Sequence, residues 1–440
     1  MYSSAEEILS YVRDNDVKFI RLAFCDIFGT QKNIAIQPSE LPRAFESGIS
    51  FDASAINGFM NIEESDLLLV PDPDTVAVLP WRPAHGRVIR LFCDIVRPDG
   101  TPFEGDCRRL LRETARRAIQ RGYVCKFGPE CEFYLFQLDE NGQPTTRPLD
   151  HGGYFDIAPL DKGENVRREI CLSLEEMGFT PEASHHEQGP GQNEIDFRYS
   201  AAMRAADNLV TFKSVVRAIA AQHGLHASFM PKPIAGAPGS GMHINMSLYN
   251  RDDENLFLGQ PDGFLPQARQ FIAGILHRTA ELSAFLNPTT NSYARLGAFE
   301  APRYLTWSRQ NRSQLVRIPA AEGDFSRMEL RSPDAACNPY LAFALLIEAG
   351  LEGIEQAEEL PAPNNHNLYE ATPEETQRLA QLPQSLEEAL DLAKASNLVQ
   401  RVLPQSIRDK YFELKYAEAA RVTSPELRAE QEQDLYFHRL

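Results

Sequence analysis

The sequence has 440 residues, 43% hydrophobic and 24% charged, which excludes a disordered, collagen-like or disulfide-scaffold description of the whole chain. Its 62 acidic and 44 basic residues give a net charge of −18, the wrong sign for a phosphate-backbone binder or for attraction to an anionic membrane surface. Binding a small anion would need a local reversal of that field.

The N-terminal stretch has no basic segment leading into an apolar core, so no signal peptide is expected. Residues 1–15 read as a short helix. Val17–Cys25 and Lys32–Ile36 read as strands joined by a turn at Gly29. Short strands punctuated by Pro, as in Pro80-Trp-Arg-Pro83, continue to Ile95 and predict a small sheet domain of about 100 residues. Arg97–Pro102 is the expected boundary, dividing the chain into 1–100 and 101–440. Beyond it, helices are expected over Asp106–Arg121, Arg167–Met177, Asn208–His223, Gln267–Leu286, Pro339–Gln356 and Leu386–Ala393, alternating with strands. The apolar run Tyr340–Ile347 is too short to span a bilayer. Seven cysteines, an odd number with no CxxC pair, predict reduced and mostly buried thiols in a cytosolic protein, with no zinc-thiolate site.

Strand alternation gathers polar residues on shared faces. In Gly128-Pro-Glu130-Cys-Glu132-Phe-Tyr-Leu, Glu130 and Glu132 share one face, with Cys131, Phe133 and Leu135 behind. Two such carboxylates repel unless a cation or a proton lies between them, the alternative being a solvated edge strand. His185-His-Glu187 and Glu194 flank a Gly189-Pro-Gly191 turn that could bring the two carboxylates together or form a plain surface hairpin. His185 and His186 read as packing or supporting residues. His243, Asn245 and Ser247 share a face opposite Met242, Ile244, Met246 and Leu248. Arg327, Glu329 and Arg331 share another, either an ion-pair ladder or a metal ligand between phosphate clamps. No GxxxxGK[ST] loop occurs. Residues 291–331 hold seven arginines (295, 303, 309, 312, 317, 327 and 331) against four acids (300, 322, 324 and 329), a basic island in an acidic chain. Five carboxylates and one imidazole suit Mg²⁺ or Mn²⁺ rather than zinc, and with an arginine cluster they are the parts of phosphoryl transfer from a nucleotide.

The stretches GPECEF, HHEQGPGQNEI, GSGMHINMSL, NPTTNSY, NRSQLVRIP and RMELRSPD, with FDASAI and NIEESD upstream, resemble the signature segments of type I glutamine synthetase in the family's order. The resemblance covers nearly the whole chain, and the length matches the short bacterial subtype. It implies an α+β fold: an N-terminal β-grasp domain, then a catalytic domain with a curved antiparallel sheet. It implies two or more Mg²⁺ or Mn²⁺ ions, ATP as co-substrate, and double-ring dodecamers with sites between neighbouring subunits. Neither nucleic acid nor membrane is implied as a partner, and the compartment is the cytoplasm. By resemblance, Glu132, Glu187 and Glu194 hold one metal, and Glu130, His243 and Glu329 the other. Arg312, Arg327 and Arg317 face ATP phosphates, with Asn245 and Ser247 beside the nucleotide. Arg295 and Arg331 grip substrate and the transferring phosphoryl group. Gly239 lines the glutamate site. Glu300 is the flap carboxylate that accepts an ammonium proton. Asp52 from an adjacent subunit and Tyr154 complete the ammonium site.

The implied reaction joins ammonia to the γ-carboxylate of glutamate through γ-glutamyl phosphate, giving glutamine, ADP and phosphate. Several positions depart from the family pattern. Ala55 replaces a serine of Asp-Gly-Ser-Ser, Pro238 replaces an asparagine, and the flap Arg295-Leu-Gly-Ala-Phe-Glu300 is one residue short. Tyr369 stands where longer relatives are adenylylated and reads as a plain surface tyrosine. Asn61 replaces an arginine of feedback-inhibited relatives. These departures keep two further readings in view: a γ-glutamyl ligase of the same fold using an organic amine, and a catalytically silent nitrogen-sensing or assembly protein.

Overall fold

The computed structural model describes residues 4–60, 62–82, 85–258, 264–321 and 323–440. Asn61, Pro83, Glu322 and the first three residues of the expected N-terminal helix lie outside them.

The first helix, α1 (Ala5–Asp14), starts at Ser4, whose hydroxyl accepts from the Glu7 amide while the Glu7 carboxylate accepts from the Ser4 amide. A sheet follows, built from β1 (Val17–Cys25), β2 (Gln31–Ile36), β3 (Ile49–Asp52), β4 (Asp66–Pro71), β5 (Ala77–Val78) and β6 (Arg87–Val96). Its order is β2-β1-β6-β4-β3, with β5 on β6, and only β1 and β6 run parallel. Alternation buries Ile20, Leu22, Ile89 and Leu91 on one face. The β1–β2 turn is held by the Asp26 carboxylate, which accepts from the Phe28 and Thr30 amides. Gly29 is required there. Its φ is +80°, and a Cβ would sit 2.7 Å from Asn338 Cα.

That contact joins the sheet to the second unit, where Asn338 caps α8 (Pro339–Glu355) and donates to the Ile27 carbonyl. A buried ion network strengthens the junction. Arg108 on α3 (Cys107–Gln120) reaches Asp72, Asp94 and Asp207 at 2.9, 3.2 and 2.8 Å.

The second sheet has ten strands: β7 (Val124–Leu138), β8 (Pro144–Pro148), β9 (Pro181–His186), β10 (Gln192–Phe197), β11 (Ser200–Ala201), β12 (Leu225–Ser228), β13 (Met242–Tyr249), β14 (Trp307–Arg309), β15 (Val316–Ile318) and β16 (Met328–Leu330). Its spine runs β14-β15-β16-β13-β7-β10-β9, and the 15-residue β7 also pairs with β8, β11 and β12. The pairing is antiparallel as expected except between β14 and β15, which are parallel. The intervening helices are α4 (Glu164–Glu176), α5 (Ala202–Gln222), α6 (Pro266–Leu286) and a short α7 (Ser292–Arg295).

The apolar run read as too short for a membrane lies in α8, which is buried along nearly its whole length against α6 and α3. No helix among the described residues is long and apolar enough to cross a membrane. The α6 and α8 backbones touch, since a Cβ on Gly274 would lie 2.3 Å from the Ala349 carbonyl oxygen. The acids buried in α8 are paired: Glu348 with Arg117 and Arg121, and Glu352 with Arg278. All seven cysteines are free, and six of them are buried.

Helix starts differ from expectation. Asp106 caps α3 rather than entering it, its carboxylate accepting from the Arg109 amide at 3.1 Å. α5 begins six residues before Asn208, because Ala202–Asp207 is rich in helix formers that outweigh the asparagine cue. Three C-terminal helices, Asn397–Val402, Gln405–Ala419 and Arg428–Tyr436, were not expected from the sequence.

Candidate active site

β7, β10, β13 and β16 turn their polar faces toward one side of the sheet. In register, Glu130 lies opposite His243, Glu132 opposite Glu194, and Glu329 opposite both Asn245 and Arg317. A cavity of about 510 Å³ opens over this face.

Of three clusters of possible metal ligands among the described residues, two lie at this cavity and the third, Asp150, Asp161 and His186, lies behind the turn after Glu187. In the first, donor atoms of Glu130, His243 and Glu329 lie within 4.8 Å of one another. His243 Nδ1 is 3.6 Å from both carboxylates. Burial, reinforced by Arg331, pushes the imidazole well below its usual range, leaving it neutral with a free lone pair. In the second, His185, Glu187 and Glu194 meet within 4.8 Å. His185 Nε2 lies 2.9 Å from Glu187 and 3.5 Å from Glu194. Glu132 lines the same cavity but stands apart from this cluster. Its Oε2 accepts from Gln192 Nε2 at 2.8 Å and from the Gly241 amide at 2.9 Å.

This wall is strongly overcharged. Burial and the Glu187 carboxylate push Glu132 up to about 7. Burial and Glu130 push Asp196 up to about 7. Burial, with Asp196 and Glu132, lifts Glu194 well above the carboxylate range. Glu187 alone is lowered: burial pushes it up, but hydrogen bonds from His185 and the Gln188 amide prevail. Crowded carboxylate oxygens with imidazole and no thiolate form the donor set of a hard divalent cation, so the residues fit such ions.

The second histidine of the pair is occupied elsewhere. His186 is 1% exposed, with Nδ1 donating to the Glu187 carbonyl and Nε2 to Asp150. Asp150 also accepts from the Gly191 amide, so this pair fixes the turn between Glu187 and Glu194.

The opposite wall is basic. Of the seven arginines in 291–331, Arg295, Arg312, Arg317, Arg327 and Arg331 line the cavity. Arg303 instead donates to Gln381, and Arg309 lies over the Phe264 ring. Arg327, Glu329 and Arg331 lie on the side of the strand expected to carry them, with Arg327 and Arg331 lining the cavity. Glu329, 1% exposed, pairs with Arg331 at 2.6 Å and with Arg317 at 2.5 Å, while Arg327 Nε donates to Asn245 Oδ1 at 2.7 Å. An ion-pair ladder and a possible ligand role therefore coexist at Glu329. Arg295 donates to the Ser332 and Arg331 carbonyls.

Between the walls runs the flap. Gly297 and Phe299 have φ of +77° and +52°. Glu300 accepts from Gln188 Nε2 at 2.8 Å, bridging to the β9–β10 turn. The Tyr369 hydroxyl lies 2.6 Å from the Glu300 carbonyl and 2.8 Å from that of Arg312. Tyr369 thus anchors two segments of the site rather than standing as a plain surface residue.

Gly239 and Tyr154 line the cavity. Asn245 and Ser247 line an adjoining 110 Å³ cavity that shares Glu130, Asp196 and Arg327 with the main one. Tyr199 and Phe325 meet edge to face at its rim. Asp52, exposed at the end of β3 and bonded to Ser54, does not line its own chain's cavity. Sequence reasoning passed over Asp196, Gln188, Tyr199 and Phe325. Strand alternation from Glu194 could have found Asp196; the other three approach the site only through tertiary packing.

The glutamine synthetase catalytic-domain family matches residues 104–433, and the glutamine synthetase β-grasp family matches residues 16–98. The chain belongs to the glutamine synthetase family. A glutamine synthetase of Clostridium saccharobutylicum is 50% identical over 418 residues, 94% of each chain. One of Methanosarcina mazei is 47% identical over 431 residues, 96% of each. Among solved structures, a GmaS–ADP complex is 31% identical, with a TM-score of 0.87 over 96% of this chain and 98% of that one. An unliganded GmaS gives 32% and 0.86. The family fold thus accounts for both sheets, and the stretches GPECEF, HHEQGPGQNEI, GSGMHINMSL, NRSQLVRIP and RMELRSPD each contribute residues to the cavity lining.

Proposed function

We propose that this chain joins ammonia to the γ-carboxylate of glutamate at the expense of ATP. The observation that carries the reading is one cavity with an acidic wall fit for divalent cations facing five arginines, in a chain about half identical to proteins named glutamine synthetase. The ions are Mg²⁺ or Mn²⁺, which when bound neutralise phosphate charge and orient the γ-phosphoryl group.

The chain's own residues do the rest. Arg312, Arg317 and Arg327 meet the ATP phosphates, and Asn245 and Ser247 flank the nucleotide. Gly239 lines the glutamate site, and the loop there needs glycine because a Cβ would lie 2.5 Å from the chain's own Pro231 carbonyl oxygen. Arg295 and Arg331 hold the γ-carboxylate in line with the γ-phosphorus. A carboxylate oxygen attacks phosphorus, the bond to the β-phosphate oxygen breaks, and ADP leaves. The flap then shields the acyl phosphate from water. Ammonium gives a proton to Glu300 and attacks the acyl carbon as ammonia, and phosphate departs with the second proton that the nitrogen loses. Tyr154, and Asp52 from an adjacent subunit, hold the ammonium ion beforehand. This role for Asp52 calls for a closed oligomer, a dodecamer of the short bacterial subtype acting in the cytoplasm. Within each chain 1–100 forms the β-grasp unit and 101–440 the catalytic one.

The test is phosphate release and product analysis with Mg²⁺, ATP and glutamate, adding ammonium or a series of alkylamines. Glutamine as the main product supports the reading. Turnover with alkylamines but not with ammonium would replace it with an amine ligase, and ATP binding without any turnover would replace it with a silent sensor.

A further inference from the structure

A second cavity, of about 320 Å³, lies between the N-terminal sheet and α5, remote from the residues assigned above. Its chemistry is the reverse of the chain's. Arg21, Arg82 and Arg90 line it, and among the described lining residues there is no carboxylate. In a protein of net charge −18, three guanidiniums around one pocket with no acid among them demand an explanation.

The register sharpens the point. Arg21 of β1 lies directly opposite Arg90 of β6, with the two strands side by side and parallel. Like charges in that position destabilise a sheet. Neither makes an ion pair among the described residues. The Arg21 and Arg82 side chains make no hydrogen bond or ion pair among the described residues. Arg90 is 7% exposed, and its Nη1 donates to Thr211 Oγ1 at 2.8 Å, but its Nε has no partner at all. Asp207, a turn away on α5, is already taken up by Arg108 and Tyr340. The Arg90 guanidinium is stacked 4.0 Å over the Phe92 ring, so its plane is fixed. Burial pushes this arginine down to about 10, against the opposing pull of the Asp207 carboxylate. Trp81 adds an aromatic face to the lining, and Gln31 and Asn33 add side-chain amides, Gln31 Oε1 accepting from the Ser214 hydroxyl at 2.5 Å.

We infer that this inter-domain cavity binds a small dianion, a phosphate or a short dicarboxylate, clamped between the Arg21 and Arg90 guanidiniums with Arg82 at the mouth. A planar fork on each side suits bidentate contact with either anion. Because the cavity is walled by both units, an occupant favours the docked arrangement and couples the site to the catalytic sheet through α5, which packs on β7. The inference stands independently of the ligase reading.

The test uses the full-length protein, pre-saturated with ADP and glutamate so that the catalytic cavity is filled. Inorganic phosphate and glutarate are titrated separately by calorimetry, with acetate as the monoanion control. Saturable binding of phosphate or glutarate, weakened at least tenfold in Arg21→Gln, is expected, and the tighter probe identifies the anion class. Arg21 is half-buried and unpaired, so this variant should fold, and its melting temperature in anion-free buffer checks that it does. Arg90→Lys, which keeps the charge but loses the fork, should weaken binding less than Arg21→Gln. Absence of saturable binding by either probe, or equal binding in wild type and Arg21→Gln, would overturn the inference. So would acetate binding as tightly as the dianions.

Discussion

The acidic wall of the catalytic cavity stands on long strands, whereas the basic wall stands on short strands and a loop. β7 and β13 have 15 and 8 residues and carry Glu130, Glu132 and His243; β14, β15 and β16 have three residues each, and Arg295, Glu300 and Arg312 sit on the segments around them. The acids on β7 and β10 are pinned by strand register, and burial and mutual repulsion outweigh the counter-charges of Arg295, Arg331 and His185. The arginines compensate internally, Arg317 and Arg331 through Glu329, and Arg295 through two carbonyls. One wall is therefore a crowd of carboxylates suited to external cations, while the other ties Arg317 and Arg331 to a single carboxylate and leaves Arg312 and Arg327 without one among the described residues.

The most direct way to break that contrast is Glu329→Gln. It leaves the buried Arg331 and Arg317 without their carboxylate, a cost of about 3–5 kcal/mol. Turnover should fall roughly 10²–10³-fold, the scale seen when a transition-state electrostatic partner is lost. Urea unfolding and glutamine formation measure the two effects, and unchanged stability would refute internal compensation of the basic wall. Chelating divalent cations comes next. Ions present at 100 times their dissociation constant stabilise by about 2.7 kcal/mol, so EDTA should lower the melting temperature. A melting temperature that is unmoved or raised would mean the acids need no cations. Arg327→Gln should leave the melting temperature nearly unchanged but lower kcat/KM for ATP by roughly 10–100-fold, the equivalent of one charge-assisted hydrogen bond.

Smaller effects probe the moving parts. Tyr369→Phe removes a hydroxyl that anchors the flap at Glu300 and the loop at Arg312. It should raise KM for ammonium by about 2–10-fold and release phosphate uncoupled from glutamine, whereas strict coupling at wild-type KM would remove Tyr369 from the flap. Lys232 tests the loop beside the flap. Its Nζ donates to the Ala237 carbonyl and lies 4.2 Å from the Phe299 ring centre. Burial, with Arg295 adding repulsion, pushes it down to about 8. The folded protein then binds this proton less well than the unfolded chain, so the group's contribution to stability rises between pH 8 and lysine's ordinary value of about 10.4. Lys232→Met should flatten that rise in denaturant titrations taken across this range.

The contrast between the walls also explains what the sequence disclosed. Period-two alternation placed Glu130, Glu132, His243, Asn245 and Glu329 on polar faces, and register then brought those faces together. Alternation says nothing about partners across the sheet. It could not foresee that Arg317, rather than Arg327, would pair with Glu329. Nor could it place Gln188 against Glu300 or Tyr369 against the flap, contacts made across 112 and 69 residues. The β-grasp strands were legible from Pro and Gly punctuation. The C-terminal helices were not, although Gln405–Ala419 carries Ile407, Tyr411 and Phe412 at helical spacing, a signal that could have found it.

The central claim is that the acidic wall is built for two cations. Mn²⁺ binding, followed by paramagnetic resonance of the free ion in full-length protein, tests it most directly. Two saturable sites per chain are expected, with one lost in Glu194→Gln and the other in His243→Ala. A wild-type chain that binds no Mn²⁺ saturably, or variants that keep both sites, would contradict the account.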